Sequence, residues 1–310
     1  MESKIVVVGS GFVGASIGYA AMIRGLCNDL VLIDINKKRV EGEVMDLSHG
    51  LPFTRPMEIR QGDYSDCQGA SIIVITAGYN QKPGESRLDL IQKNIKIFRS
   101  ILDQIIRYER EAILLVVSNP VDILTTIARQ YKELRPERII GSGTVLDTAR
   151  FRLILSRRFK ISPSSIHAYV VGEHGDSEVP LFSSANVAGT PLNLLCQWDG
   201  LYEQGWHDQV IKEVKQAAYE IINRKGATYY GIGLSVSHIM RAVLRDERTV
   251  LTVSSLLDDE YKKLDVALSL PCIIGKEGII RRLPLLMDSA EKELFNQSVE
   301  VIRTSVAPWR

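Results

Sequence analysis

Short runs of consecutive apolar, mostly β-branched residues recur through the first half of the chain. Ile5-Val6-Val7-Val8 is the first and Leu30-Val31-Leu32-Ile33 the second, and 71–76 and 113–117 follow. Runs of this length, bounded by glycine or polar residues, predict strands buried on both faces. Between them the pattern predicts a small-residue helix (Ala15, Ser16, Gly18, Ala20, Ala21), a polar helix over 37–48, a strand over 58–61 and a long helix ending near Tyr108. Ser118-Asn119-Pro120 closes a strand and opens another helix, with Pro120 suited to a first turn. Ile139-Ile140 is the last short strand of this half. Strands alternating with helices predict an α/β fold built on a doubly wound parallel sheet.

The pattern changes after Gly141-Ser142-Gly143. Helical spacing returns at 147–158, 203–224, 230–244 and 287–305, and strand-like runs at 165–171, 250–254, 266–270 and 278–281. This half reads as a mixed α+β unit. The expected division is 1–141 and 142–310, without internal repeats or low-complexity tracts.

The first strand runs straight into Gly9-Ser10-Gly11-Phe12-Val13-Gly14, and the second ends on Asp34, twenty positions after Gly14. Gly9 permits the tight turn, Gly11 lets backbone approach a pyrophosphate, and Gly14 lets the helix lie close on the sheet. The unpaired amides of the helix start favour phosphate. An acid at Asp34 can accept hydrogen bonds from a ribose diol and would repel a 2′-phosphate, so the cofactor expected is NAD. G-x-G-x-x-G alone is a weak signal. Strand before, helix after and acid at the right distance make it a Rossmann dinucleotide site.

Composition narrows the class only a little. At 45% hydrophobic and 24% charged residues the chain is an ordinary globular protein, and 310 residues suit about two domains. A net charge of +1 gives no general attraction to nucleic acid or anionic membranes. No apolar run approaches a membrane span, and the first strand begins too early to leave room for a signal peptide. Four scattered cysteines without C-x-x-C or metal-ligand spacing predict reduced thiols and a cytoplasmic protein.

Candidate chemistry lies elsewhere. Asp147-Thr148-Ala149-Arg150 puts a carboxylate and a guanidinium on one helix face, which by itself is an ordinary surface ion pair. Gly172-Glu173-His174-Gly175-Asp176 sets a histidine between glycines directly after an apolar strand. Together they fit one reaction. A hydride delivered to a ketone leaves an oxyanion that needs a proton, which His174 can supply. Asp147 would fix its tautomer and stabilise imidazolium. Arg150 offers a planar fork for a carboxylate. The polar segment Tyr79-Asn80-Gln81-Lys82-Pro83-Gly84-Glu85-Ser86-Arg87 reads as a lid, on which Arg87 would meet the developing oxyanion. Asn119 could hydrogen-bond the same oxygen.

Along essentially its whole length the chain resembles the L-lactate/L-malate dehydrogenase superfamily. Six ordered motifs carry the likeness: the glycine-rich turn, Asp34, the segment from Asn80 to Arg87, Ser118-Asn119-Pro120, Asp147 to Arg150 and Gly172 to Asp176. The resemblance implies His174 as proton donor and acceptor, Asp147 as its partner, Arg150 on the substrate carboxylate and Arg87 as the lid arginine. It places Asn119 and Thr228 along the substrate, and Val13, Asp34, Arg39, Tyr64 and Gly78 along the cofactor. Malate enzymes of the superfamily carry an arginine at the lid position that faces the substrate's C3 end. Here that position is Gln81, so a second carboxylate would be buried without a cation. Pyruvate and L-lactate are therefore the expected pair. Malate or another 2-hydroxy acid remains the alternative, and a non-catalytic NAD sensor a third.

Bacterial members activated by fructose 1,6-bisphosphate carry Arg and His at positions matching Arg152 and His167, where a two-fold axis joins pairs from two subunits. The resemblance thus implies allosteric activation of a homotetramer. The early first strand, with no arm ahead of it, also matches the bacterial type. On spacing alone these two residues are a surface arginine and a strand histidine.

Overall fold

The computed structural model describes residues 3–79, 87–256 and 265–310, with Arg87 described in its backbone only. Six strands, β1 (Lys4–Val8), β2 (Asp29–Ile33), β3 (Glu58–Gln61), β4 (Ile72–Ile75), β5 (Ile113–Val116) and β6 (Ile139–Gly141), pair in parallel in the spatial order β6-β5-β4-β1-β2-β3. Between them run α1 (Phe12–Arg24), α2 (Lys37–His49), α3 (Arg87–Tyr108) and α4 (Val121–Ala128). Ile5 and Val7 pack into one apolar cluster with Ile17, Leu30 and Leu32, while Val6 and Val8 pack into another with Ile73, Ile95 and Phe98. Both faces of the sheet are covered, which is why its strands are apolar runs and not alternating ones.

The chain leaves β1 toward β2 and β3, then returns to the other side of β1 for β4. A crevice opens where the order reverses, outside the carboxyl ends of β1 and β4, as doubly wound sheets require.

The second half contributes α5 (Val145–Phe159), β7 (Ile166–Val171), β8 (Val179–Val187), β9 (Thr190–Pro191), α6 (Leu192–Trp198), α7 (Trp206–Lys225), α8 (Tyr230–Leu244), β10 (Thr249–Ser255), β11 (Leu268–Gly275), β12 (Gly278–Arg282) and α9 (Ser289–Val306). Strands β7-β8-β9 form a separate antiparallel sheet. Strands β10, β11 and β12 instead extend the first sheet to nine strands, joined antiparallel through Ser254 and Gly141. The sheet therefore crosses the Gly141-Ser142-Gly143 break. Gly143 has φ +51°, and a Cβ there would lie 2.5 Å from the Ser254 amide nitrogen, so the joint needs glycine.

Three elements, β8, β9 and α6, were not expected from the apolar pattern. In β8, Pro180 and the pair Ser183-Ser184 break the alternation, although Leu181 and Ala185 are buried. Strand β11 runs five residues past the expected stop at Leu270, through Pro271. The Pro271 carbonyl accepts from the amide of Leu283, beyond the end of β12, so its missing N–H faces the place where that pairing stops. No helix among the described residues is long and apolar enough to cross a membrane.

Candidate functional site

At the cofactor end, the Gly9 amide donates to the Ile33 carbonyl at 2.7 Å, and a Cβ on Gly14 would sit 1.9 Å from the Gly9 carbonyl oxygen. The turn is therefore pressed onto the neighbouring strand and helix. Gly11 differs: a Cβ there would meet nothing within 4 Å. It is the N-cap of α1 and offers no side-chain cap, so the first amides of that helix face open space beside the crevice. Asp34 accepts from the Ser10 amide at 2.6 Å and the Asn36 amide at 2.8 Å, one on each carboxylate oxygen. Each oxygen keeps a further lone pair for a ligand. A close-approach turn, an uncapped helix start and a carboxylate at the end of β2 together fit a dinucleotide.

The other expected cofactor residues border this turn or the nearby strand ends. Val13 is in the first turn of α1. The Arg39 guanidinium stands 5.4 Å over the Phe12 ring. Tyr64 is half-buried against the core, and burial, with Asp34 nearby, raises its pKa. Gly78 is exposed just beyond β4, and Asn119 is exposed just beyond β5. Asn94, on α3, bridges these two strand ends. Its Oδ1 accepts from the Tyr79 amide at 2.6 Å and its Nδ2 donates to the Asn119 carbonyl at 2.9 Å.

Across the crevice, Asp147 joins two cations. Its Oδ1 accepts from Arg150 Nη1 at 2.6 Å and its Oδ2 lies 2.6 Å from His174 Nδ1. The carboxylate is 1% exposed, so this is not the surface ion pair that spacing alone suggests. Burial pushes Asp147 up, but His174 and Arg150 outweigh it and hold the carboxyl below its ordinary range. The same charge, against the cost of burial, raises His174 to about 9. The imidazole is thus a protonated donor at neutral pH, with Nδ1 engaged and Nε2 left for a reacting oxygen.

Local sequence explains the convergence. Thr148, two residues before Arg150 and on another side of the helix, receives the Val170 amide at 2.9 Å and lies 2.9 Å from Thr252 Oγ1, pinning α5 to β7 and β10. Gly172 exchanges two backbone hydrogen bonds with Ser269 of β11, each 3.0 Å. The next amide, of Glu173, donates to Ser298 Oγ at 2.7 Å. The His174 amide donates to Asp122 Oδ2 at 2.7 Å. Asp122, in the first turn of α4, is pushed up to about 6 by burial. The loop carrying His174 is therefore held by β11, α9 and α4 at once.

Sequence reasoning did not single out Asn94, Asp122 or Glu178. Asp122 lies two residues after Pro120 and Glu178 two after Asp176, so each adjoins a recognised motif, but nothing in spacing distinguishes them from surface acids. Gln81 and the Arg87 side chain lie outside the described residues. Thr228 sits in the loop between α7 and α8. Arg152 points away from Asp147: its Nε donates to the Ala168 carbonyl at 2.9 Å and its guanidinium lies 5.1 Å over the Tyr169 ring. His167 is exposed two residues before Tyr169 on β7, on the same side of the strand.

Comparison with known proteins gives the same assignment. A family model for the lactate/malate dehydrogenase NAD-binding domain matches residues 3–141, and one for the α/β C-terminal domain matches 144–308. The chain belongs to the lactate/malate dehydrogenase family. It is 48% identical to an L-lactate dehydrogenase of Acetivibrio thermocellus, covering 97% of this chain and 96% of that one. It is 47% identical to an L-lactate dehydrogenase of Thermoanaerobacter sp. (strain X514), covering 98% of each. Among solved structures, the minor L-lactate dehydrogenase of Enterococcus mundtii in a ligands-bound form superposes with a TM-score of 0.96 at 41% identity, over 100% of this chain and 99% of that one. The expected α/β fold with a Rossmann half, the NAD cofactor and the class of NAD-dependent 2-hydroxy-acid dehydrogenase all stand.

Proposed function

We propose that this family member is an L-lactate dehydrogenase interconverting pyruvate and L-lactate. The observation that carries this is the Arg150–Asp147–His174 array, built on a buried carboxylate at the crevice of a dinucleotide-binding sheet. NAD, when bound, supplies or accepts the hydride. The chain's own residues do the rest. Gly9, Gly11, Val13, Gly14, Asp34, Arg39, Tyr64, Gly78 and Asn119 bind and orient the dinucleotide. Arg150 grips the substrate carboxylate through the part of its fork not used by Asp147. His174, held by Asp147, passes a proton from Nε2 to the ketone oxygen during reduction and takes it back during oxidation. Arg87 and Asn119 polarise that oxygen, and Thr228 lines the pocket.

Gln81 sets the choice of acid, since an oxaloacetate carboxylate would find no cation there. Gln81→Arg is expected to raise kcat/KM for oxaloacetate over pyruvate by at least tenfold. Equal kcat/KM on both substrates in the unchanged enzyme would refute the role given to Gln81.

The finer regulation also belongs to this proposal. Arg152 and His167, on one side of β7, would hold the phosphates of fructose 1,6-bisphosphate across a two-fold axis of a homotetramer. In support, Arg152 is fixed by the Ala168 carbonyl and Tyr169 ring while sharing α5 with Arg150. All four cysteines are buried and outside disulfides, and burial pushes the Cys27 and Cys67 thiols up to about 12, which suits a cytoplasmic enzyme with inert thiols. The test is NADH oxidation with pyruvate, oxaloacetate and a bulkier 2-oxo acid, each with and without the bisphosphate, in wild type and Arg152→Gln. Pyruvate turnover well above the others is expected, with the pyruvate KM lowered by bisphosphate in wild type alone. Turnover of none of the acids would overturn the enzyme assignment, and a bisphosphate-insensitive wild type would remove the effector role.

A further inference from the structure

One buried carboxyl beside the reacting groups has no part in the mechanism above. Glu178 closes the turn after His174, its amide donating to the Gly175 carbonyl at 3.1 Å, and is 5% exposed at the start of β8. One side-chain nitrogen or oxygen from each of Asp147, His174 and Glu178 lies within 4.8 Å of the others. The two carboxyls are not equivalent. Asp147 accepts hydrogen bonds from two cations, whereas Glu178, nearly as buried, stands beside the Asp147 charge and forms no ion pair among the described residues. A largely buried carboxyl next to a like charge holds its proton.

We propose that Glu178 is a positioning residue for the anionic substrate, a buried carboxyl that must carry its proton for the 2-oxo or 2-hydroxy acid to bind at Arg150. This deepens the L-lactate dehydrogenase reading and rests on it. The groups facing Glu178 make the physical case. From α5 come Asp147 and Arg150, from the loop His174, and from α7 Lys215, whose Nζ is tethered to the Asp176 carbonyl at 2.7 Å. Asp122 on α4 acts at one remove, through the His174 amide. A substrate carboxylate arriving at Arg150 needs an uncompensated positive charge. Ionised Glu178 would offset that charge and repel both Asp147 and the substrate. Burial, with the Asp147 charge, pushes Glu178 up to about 8, so the proton is present at neutral pH and lost on the alkaline side. Glu178 and His174 then titrate as one interacting set.

The oxidation direction separates the two groups. L-lactate needs neutral His174, so His174 titration favours its binding as pH rises. Ionisation of Glu178 opposes it. KM and kcat for L-lactate and for pyruvate are to be measured from pH 6.5 to 10 in wild type, Glu178→Gln and Glu178→Asp. Between about pH 8 and 9 the two titrations offset each other in wild type, so its KM for L-lactate should hold level there and climb about tenfold per pH unit above about 9. In Glu178→Gln the KM should fall up to about pH 9 and level off beyond it, following His174 alone. Glu178→Asp should restore the wild-type shape. A climb above about pH 9 that persists in Glu178→Gln overturns the proposal. A wild-type KM that falls up to about pH 9 and then levels off, as His174 alone requires, overturns it whether or not the variants fold. Wild type that turns over neither acid at any pH instead refutes the function itself and takes this inference with it.

Discussion

The two ends of the crevice are built in opposite ways. At the cofactor end, three glycines and one aspartate within about thirty residues do the work, mostly through backbone: a turn too tight for a side chain, bare helix amides, and a carboxylate at a strand end. At the end proposed for the substrate, the polar groups come from α4, α5 and the loop before β8, brought together by threonine, serine and aspartate contacts far apart in sequence. One end is a local conformation. The other is a tertiary agreement, and its chemistry depends on how well distant segments are held.

The difference can be tested in order of effect. The largest is expected for Asp147→Asn. Loss of the charge that raises His174 to about 9 should drop the imidazole toward its ordinary value of about 6.5. A raised histidine stabilises the fold fully below that ordinary value, and the contribution fades as pH passes about 9. For catalysis, the alkaline limit of pyruvate reduction should move down by roughly two pH units. kcat should fall roughly 10²- to 10⁴-fold at pH 8, with little loss of NADH affinity. Steady-state pH profiles and cofactor titration check both, and an unmoved alkaline limit would break the link between Asp147 and His174.

Next comes a pair at the cofactor end. In Gly14→Ala the new Cβ meets the Gly9 carbonyl at 1.9 Å, so stability should fall by about 3 kcal/mol together with dinucleotide binding. Gly11→Ala meets no protein atom, so it should melt close to wild type yet bind NADH about tenfold or more weakly. Thermal melts with and without NADH separate the two, and equal melting losses would contradict the geometry.

The smallest effect is expected for Thr148→Val. It keeps the volume but strips the Val170 amide and Thr252 hydroxyl of a buried partner, a cost of about 1–3 kcal/mol. Denaturant unfolding reads the loss. A matching fall in kcat would show that α5 must be pinned to keep Arg150 and His174 in register.

This contrast also accounts for what was legible in the sequence. Gly9, Gly11, Gly14 and Asp34 announce themselves because their function lies in spacing along one strand, turn and helix. Asp147 and Arg150 are visible only as a helical pair, and three residues of spacing cannot reveal that the pair is buried. His174 draws notice from its glycine neighbours, but its partners Asp122 and Glu178 look like any other acids until the fold closes around them. Strand β8 was hidden by Pro180 and two serines, and the extension of β11 by Pro271. The Ser183 amide finds Glu291 of α9 instead of a strand partner, and the missing N–H of Pro271 falls where the pairing with β12 ends.

The antiparallel joint between Ser254 and Gly141 bears on how this molecule could be divided. Severing the chain in the 142–143 stretch would give two fragments whose raw hydrogen-bonding margins, β6 on one and β10 on the other, had lost their mates. Neither piece should keep to itself in solution: mixed, they would reassemble, and alone each would seek another strand to adopt.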